Sequence, residues 1–228
     1  MHQPPATSRE LERYQSRVAG CLLGGALGDA LGAPVEFDSL QEITERYGEA
    51  GLTGLVPYRG RLGLVTDDTQ MTLFTAEGLI AAALSGARSP ERIGLHLYRS
   101  YRRWLATQEL SRPPYTAQTW LERQAWLYDR RAPGHACLSG LAGPAMGTLE
   151  APANPGSKGC GTVMRSAPFG LQPGQEPEAV FREAVAGAVL SQHASHRSPG
   201  HYREDDAGWV LGIVENGVLG RAAPPLRP

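Results

Sequence analysis

The segment LVTDDTQMTLFTAEGL, residues 64–79, predicts the start of a long helix that ends near Gly86. A Thr or Asp can cap this helix, and acidic residues in its first turn suit the positive helix end. Asp67 and Gln70 also have the spacing of a capping box. Apolar residues then recur at helical spacing. The segment therefore favours a helical core element with an acidic start.

The flanking sequence extends this pattern and predicts an all-α fold. Alternating runs of β-branched residues are nearly absent, which argues against a sheet. Helices are expected at residues 8–32, 39–47, 90–108, 116–128, 176–193 and shortly after Ala136, with loops at 49–65 and 150–162. Ser8 and Ser89 are candidate caps for the first and the third of these helices. We expect one helical domain at 13–219, a flexible tail at 1–12 and a second tail at 220–228.

The composition is that of an ordinary globular protein. The chain has 228 residues, of which 41% are apolar and 20% charged, with a formal net charge of −1. That charge gives no reason to expect nucleic acid or a membrane as partner. Three cysteines lack metal-type spacing, no signal peptide is evident, and the longest apolar run is too short to span a bilayer. A cytoplasmic protein is expected, and the oligomeric state is left open.

Four glycines in the first predicted helix share one face. Gly20, Gly24, Gly28 and Gly32 are spaced by four residues. Each glycine inside a helix costs about 1 kcal/mol relative to alanine. The close approach of another helix, or of a ligand, would account for such a ridge.

The acidic helix start has a second interpretation as a cation site. The hydroxyl of Thr66 and the carboxylates of Asp67 and Asp68 are all oxygen donors, which suit Mg²⁺ or Mn²⁺ and not zinc. Adjacent side chains on a helix point about 100° apart, so the two carboxylates can serve two neighbouring ions. The residues alone leave the cap and the cation site both open.

Glu36 is a candidate general acid or base. It follows Pro34, which should stop the first helix, and it lies between Val35 and Phe37, which can bury its base. A glutamate in a loop is more often simply solvated. Its chemistry therefore depends on whether the fold brings it to the other carboxylates.

Residues 157–170, SKGCGTVMRSAPFG, form a candidate anion-binding loop. Its glycines and small residues allow backbone N–H groups to approach a ligand, although Lys158 precedes the glycines, so this is not a Walker motif. A flexible loop before a helix is the alternative. His193, His196 and His201 follow later, and a solvated helix end fits their spacing better than a metal site.

Four motifs in order resemble the ADP-ribosylglycohydrolase family, which includes the enzyme that removes ADP-ribose from dinitrogenase reductase. They are GCLLGGALGDALGAPVEF, TDDTQMTLFTAEGL, APGHACLSGL and SKGCGTVMRSAPFG. Each motif is modest alone, whereas the ordered set is specific. The resemblance covers roughly residues 13–195.

The resemblance implies an all-α fold with a binuclear Mg²⁺ or Mn²⁺ centre. Thr66, Asp67 and Asp68 match the first metal motif. Glu36 matches an acidic residue that is assigned to catalysis, and the resemblance implies a catalytic role for Asp67 and Asp68 as well. The implied substrate-binding residues are Gly159, Cys160, Gly161, Thr162, Val163, Met164, Arg165, Ser166 and His193. Gln192 stands where the family has a Thr before that His, and His196 is a rival for its role.

The implied reaction is hydrolysis of the glycosidic bond between ADP-ribose and a protein side chain or small acceptor. The metals would orient the ribose diol and a water, Glu36 would manage the proton, and the transition state would resemble an oxocarbenium ion. The expected partner is an ADP-ribosylated protein or a small ADP-ribose conjugate.

The sequence departs from the family in its C-terminal part. The family's second metal motif, Asp-x-Asp-Thr, is not found, and the adjacent Asp205 and Asp206 lack its context. We therefore expect a C-terminally shortened domain, as from a truncated or frameshifted gene. Two alternatives stay open: a non-catalytic binder of ADP-ribose or a nucleotide, and a structural helical domain in which Asp67 only supports a cap.

Overall fold

α-Helices form the framework of the protein, as the sequence predicts. The computed structural model describes residues 7–157 and 159–192. Within these ranges the α-helices are α1 (Ser8–Gly32), α2 (Leu40–Tyr47), α3 (Asp67–Leu84), α4 (Pro90–Glu109), α5 (His135–Ala142) and α6 (Pro177–Ala188). Short 3₁₀ helices lie at Leu121–Arg123, Ala125–Leu127, Cys160–Thr162 and Ala167–Leu171.

The centre of the fold is the packing of α3 against α4. α4 also packs against α5 and α6, and α1 lies against α3. Gly78 of α3 permits the close approach, because a Cβ there would lie 3.0 Å from the Cα of Leu97. Met71, Phe74 and Trp104 are fully buried around this contact. The core therefore holds α3 rigidly, together with the acidic residues at its start.

Local capping signals locate three helix starts. Ser89 caps α4, as predicted, and Ser39 caps α2. α1 begins one residue earlier than its predicted cap implies, because Thr7 and Glu10 form a capping box and Ser8 is already helical. Residues 8–12 are therefore part of a helix, and the flexible tail predicted to reach residue 12 is wrong over that range.

Three other elements differ from the prediction. Residues 116–128 do not form an α-helix, because the Glu122 carboxylate accepts bonds from the N–H groups of Gln118 and Thr119, and the chain is extended at Gln124. The loop 49–65 contains two short antiparallel strands, β1 (Pro57–Tyr58) and β2 (Arg61–Leu62). α6 ends at Ala188 and not near residue 193.

The glycine ridge of α1 makes no close helix contact in the described ranges. A Cβ placed on Gly20, Gly24, Gly28 or Gly32 would have no neighbour within 4 Å. Gly28 and Gly32 instead border a cavity. Of the two explanations for the ridge, ligand approach is thus the one with space available.

No helix in the described part of the chain is both long and apolar enough to cross a membrane.

Candidate active site

The start of α3 is capped by Thr66. Its backbone is extended, and its hydroxyl accepts a hydrogen bond from the N–H of Asp68 at 3.3 Å. The predicted capping box of Asp67 and Gln70 is not formed. Gln70 points into the core, where its Oε1 accepts from Trp104 at 3.2 Å. Asp67 and Asp68 are thereby free of the capping role.

Asp67 lies in the first turn of α3 and is only 3% exposed. Its Oδ2 accepts a hydrogen bond from the N–H of Gly134 at 3.2 Å, and its own N–H donates to the carbonyl of Arg131. No hydrogen bond from a described residue reaches the carboxylate of Asp68. The APGHACLSGL motif therefore borders the acidic helix start through its backbone.

Asp29 is a site residue that the sequence reasoning did not single out. It comes from α1, and its carboxylate accepts hydrogen bonds from the backbone N–H and side-chain hydroxyl of both Thr66 and Thr69. The available signal was an acidic residue within an otherwise apolar stretch of helix. The residues that it binds lie 37 and 40 positions away, so their identity could not be read locally.

Burial and neighbouring carboxylates raise the pKa values of the acidic groups at the start of α3. The pKa of Asp67 is raised from 3.8 to about 7, first by burial, then by the charge of Asp68 and, less, by Glu36. The pKa of Asp68 is raised to about 6 by burial and then by Asp29 and Glu36. Burial and the charge of Asp29 also raise the pKa of Glu36.

No ion pair among the described residues compensates these charges, since each such pair involves other acidic side chains. The cluster is therefore a concentration of negative charge in which Asp67 is buried, Asp29 and Asp68 are half-buried and Glu36 is exposed. A bound cation would relieve it.

Two cavities meet at these carboxylates. One of about 540 Å³ runs along α1 past Gly28 and Gly32, and one of about 250 Å³ extends toward Gly161 and Gln192. Both are bordered by the same four residues, which are Glu36, Asp68, Cys160 and Met164. Glu36, in the turn after α1, is thus brought to Asp68, as its candidate role requires.

The loop 157–170 supplies one wall of both cavities. Cys160 and Met164 border both cavities and Gly159 and Gly161 border the smaller one, whereas Thr162, Val163, Arg165 and Ser166 border neither. A Cβ on Gly161 would lie 2.6 Å from the Sγ of Cys137, so this backbone approaches its neighbour too closely for a larger residue. The predicted substrate-binding loop thus divides into lining and supporting residues.

Arg165 is the clearest difference from the predicted substrate contacts. It is 1% exposed, and its guanidinium lies in the core, 4.3 Å from the ring centre of Tyr101. It donates to the hydroxyl of Ser191 at 2.7 Å and to the carbonyl of Gly187 at 3.3 Å. Arg165 therefore anchors the loop from behind and does not reach the cavities.

Comparison with known proteins decides the family. The family model described as ADP-ribosylglycohydrolase matches residues 10–199. The chain belongs to the ADP-ribosylglycohydrolase family. An "ADP-ribosyl-[dinitrogen reductase] glycohydrolase" of Rhodospirillum rubrum is 34% identical to it over 207 residues, which are 90% of this chain and 58% of that protein. The chain thus spans less than two thirds of this relative's length.

A second relative covers less of the chain. An "Uncharacterized protein" of Archaeoglobus fulgidus is 39% identical over 67 residues, which are 29% of this chain and 22% of that protein. No solved structure matches the chain.

The residues of this ADP-ribosylglycohydrolase family member offer oxygen donors of the kind that Mg²⁺ and Mn²⁺ prefer. Thr66, Asp67 and Asp68 come from one short segment and supply a hydroxyl and two carboxylates. In the described ranges, no group of three or more His, Cys, Asp and Glu side chains is arranged to hold a metal ion. The predicted substrate contact His193, with its rival His196, lies outside the described residues, whereas Gln192 borders the smaller cavity.

Proposed function

We propose that this chain is a divalent-cation-dependent hydrolase that cleaves the glycosidic bond between ADP-ribose and a modified protein side chain or small acceptor. The observation that carries the proposal is the junction of the two cavities. There, Glu36 and Asp68 lie beside Asp67 and Thr66, in a negative cluster that has no ion-pair partner among the described residues. Family membership supplies the substrate class.

The cation would be Mg²⁺ or Mn²⁺, held by Thr66, Asp67 and Asp68. When bound, it would act as a Lewis acid and offset the negative charge of the cluster. The oxygen-only donor set supports a hard cation. The raised pKa values of Asp67 and Asp68 support it as well, because a cation would favour their ionised forms.

The chain's own groups have distinct tasks in the proposed hydrolysis. The bond from the ribose anomeric carbon to the acceptor breaks, and a bond from that carbon to a water oxygen forms. Glu36 takes a proton from this water and passes a proton on to the departing nitrogen or oxygen, so that the two products share the atoms of the water. The raised pKa of Glu36 suits this exchange. The Gly159–Gly161 backbone would contact the diphosphate.

Release of ADP-ribose tests the proposal. Protein modified on Arg or Ser, and O-acetyl-ADP-ribose, are incubated with the chain and Mg²⁺ or Mn²⁺, with EDTA as a blank. We expect turnover that EDTA abolishes and that Glu36→Gln lowers by about 10²–10⁴-fold. Glu45→Gln, on the exposed face of α2, is the matched control and should retain full activity. Folded protein that turns over none of these substrates would refute the hydrolase.

A second candidate function is binding of ADP-ribose without turnover. It is favoured by one observation, that no group of three or more His, Cys, Asp and Glu side chains in the described ranges is arranged to hold a metal ion. Calorimetry with ADP-ribose in EDTA separates the two functions. Micromolar binding that survives chelation, with no hydrolysis of any substrate, would favour the binder.

A further inference from the structure

The carboxylate of Asp29 joins the end of α1 to the start of α3. Its Oδ1 accepts from the hydroxyl of Thr66 at 2.7 Å and its Oδ2 from the hydroxyl of Thr69 at 2.5 Å. The N–H of Thr66 lies 2.9 Å from Oδ2, and that of Thr69 lies 3.1 Å from it. Four donors therefore fix this one carboxylate in place.

These bonds distinguish Asp29 from the other acidic groups of the cluster. Both of its oxygens are engaged by protein donors, although the residue borders the larger cavity. The Asp67 carboxylate accepts one hydrogen bond from another residue, and that of Asp68 accepts none from the described chain. Asp29 is thus poorly available as a cation ligand, and its effect must pass through Thr66 and Thr69.

The orientation of the Thr66 hydroxyl follows from the hydrogen bonds that it donates and accepts. A hydroxyl has one hydrogen to donate and two lone pairs to accept with. Asp29 takes the hydrogen at 2.7 Å, and the N–H of Asp68 approaches one lone pair at 3.3 Å. The second lone pair has no donor in the described part of the chain, and Thr66 borders the larger cavity.

We propose that Asp29 is a positioning residue that holds the Thr66 hydroxyl with a lone pair directed toward the cation site. The inference rests on the proposed cation-dependent function, which makes Thr66 a ligand. Groups that orient a metal ligand in this way typically change metal affinity by about 10- to 100-fold when removed. Loss of Asp29 therefore weakens cation binding even though Asp29 does not touch the cation.

The test is a double-mutant cycle of Asp29→Asn and Thr66→Val, with Mn²⁺ affinity as the readout. Calorimetry and the electron paramagnetic resonance signal of free Mn²⁺ measure binding without any substrate. We expect Asp29→Asn to weaken Mn²⁺ binding by about 10- to 100-fold in the original protein. In the Thr66→Val background it should weaken binding by less than about 2-fold, because the group that it orients is gone.

A second variant separates position from charge and covers the case in which Asp29→Asn does not fold. Asp29→Glu keeps the negative charge but displaces the oxygens by one methylene, so it should also weaken Mn²⁺ binding. Glu77→Gln is the matched control. Glu77 is an acid of α3 that pairs with Arg103 and lies about 16 Å along the helix from Thr66, so its loss should lower stability and leave Mn²⁺ affinity unchanged.

Different results would refute the positioning role of Asp29 and the proposed function. Unchanged Mn²⁺ affinity in both Asp29 variants, or an equal loss from Asp29→Asn with and without the Thr66 hydroxyl, would overturn the positioning role alone. An original protein that is folded and binds no Mn²⁺ would remove both the cation-dependent function and this inference.

Discussion

Replacing Asp67 by Asn should stabilise the metal-free protein while removing cation binding. Asp67 is 3% exposed, and its pKa of about 7 reflects burial and the neighbouring charge of Asp68. Its ionised form is therefore costly in the folded state. An Asn of similar shape keeps an oxygen that can accept from Gly134 but carries no charge.

The magnitude follows from the two ionisation states of Asp67. The unfolded chain releases this proton near pH 3.8 and the folded chain near pH 7, so the folded state holds more protons between these values. Stability is consequently lost as pH rises through this window. One unit of pKa difference corresponds to about 1.36 kcal/mol. Ionisation of Asp67 therefore lowers the free energy of unfolding by about 4 kcal/mol above pH 7, but by only about 2 kcal/mol at pH 5.

The net gain from Asn is smaller, because a buried amide and a weaker bond to Gly134 cost about 1 kcal/mol or more. We therefore expect Asp67→Asn to raise the free energy of unfolding by about 1–3 kcal/mol near pH 8, and by less than about 1 kcal/mol near pH 5.

Urea unfolding in EDTA, followed by circular dichroism at both pH values, measures this difference. The exposed ion-pair variant Glu178→Gln serves as the control and should change stability by no more than about 0.5 kcal/mol. If Asp67 only supports the helix start, its replacement should instead cost about 1 kcal/mol at both pH values and leave any Mn²⁺ binding intact. That result would refute the reasoning from buried charge.

Three further predictions concern the cation, the loop anchor and the glycines. Mn²⁺ should raise the melting temperature more near pH 8 than near pH 5, because protons compete with the cation for the carboxylate ligands. Thermal unfolding with Mn²⁺ and with EDTA measures this difference. An equal rise at both pH values would count against carboxylate ligation. Arg165→Ala should lower the free energy of unfolding by about 3 kcal/mol or more in urea, since it empties a buried site and leaves Ser191 without its donor; a loss below 1 kcal/mol would contradict the anchoring role. Gly78→Ala should cost about 1–3 kcal/mol, because its Cβ would lie 2.9 Å from Leu97, whereas Gly24→Ala, which has open space, should gain about 1 kcal/mol. Equal effects of the two glycine variants would argue against the close packing of α3 and α4.

Signals that act within a few residues made most of the helices predictable. Ser39, Thr66 and Ser89 each precede an N–H group that their hydroxyl can satisfy, so the helix start follows from local chemistry. Residues 116–128 show the limit. Their composition is compatible with a helix, but Glu122 bonds to the N–H groups of residues 118 and 119, and the chain turns.

The site depended on contacts that no local pattern contains. The family resemblance brought Glu36 and Asp67 into one hypothesis, and the fold brings both to the same carboxylate cluster. The role of Asp29 depends on the contact of α1 with the start of α3, which the local sequence does not reveal. The burial of Arg165 likewise depends on Tyr101 and Ser191, which lie on other elements. A charged residue in a glycine-rich loop gives no sign that it faces the core.

The two interpretations of the acidic helix start therefore need not compete. Thr66 and Asp29 together satisfy the N–H groups of residues 66, 68 and 69, so neither Asp67 nor Asp68 has to act as the cap. Asp67 is buried and Asp68 half-buried at the junction of two cavities, and neither forms an ion pair with a described basic side chain. A helix that needed those carboxylates for its own start would have none to offer a ligand. Asp29 and Thr66 bind the N–H groups at the helix start. The same short segment can therefore begin α3 and still present the Asp68 carboxylate, which accepts no hydrogen bond from the described residues.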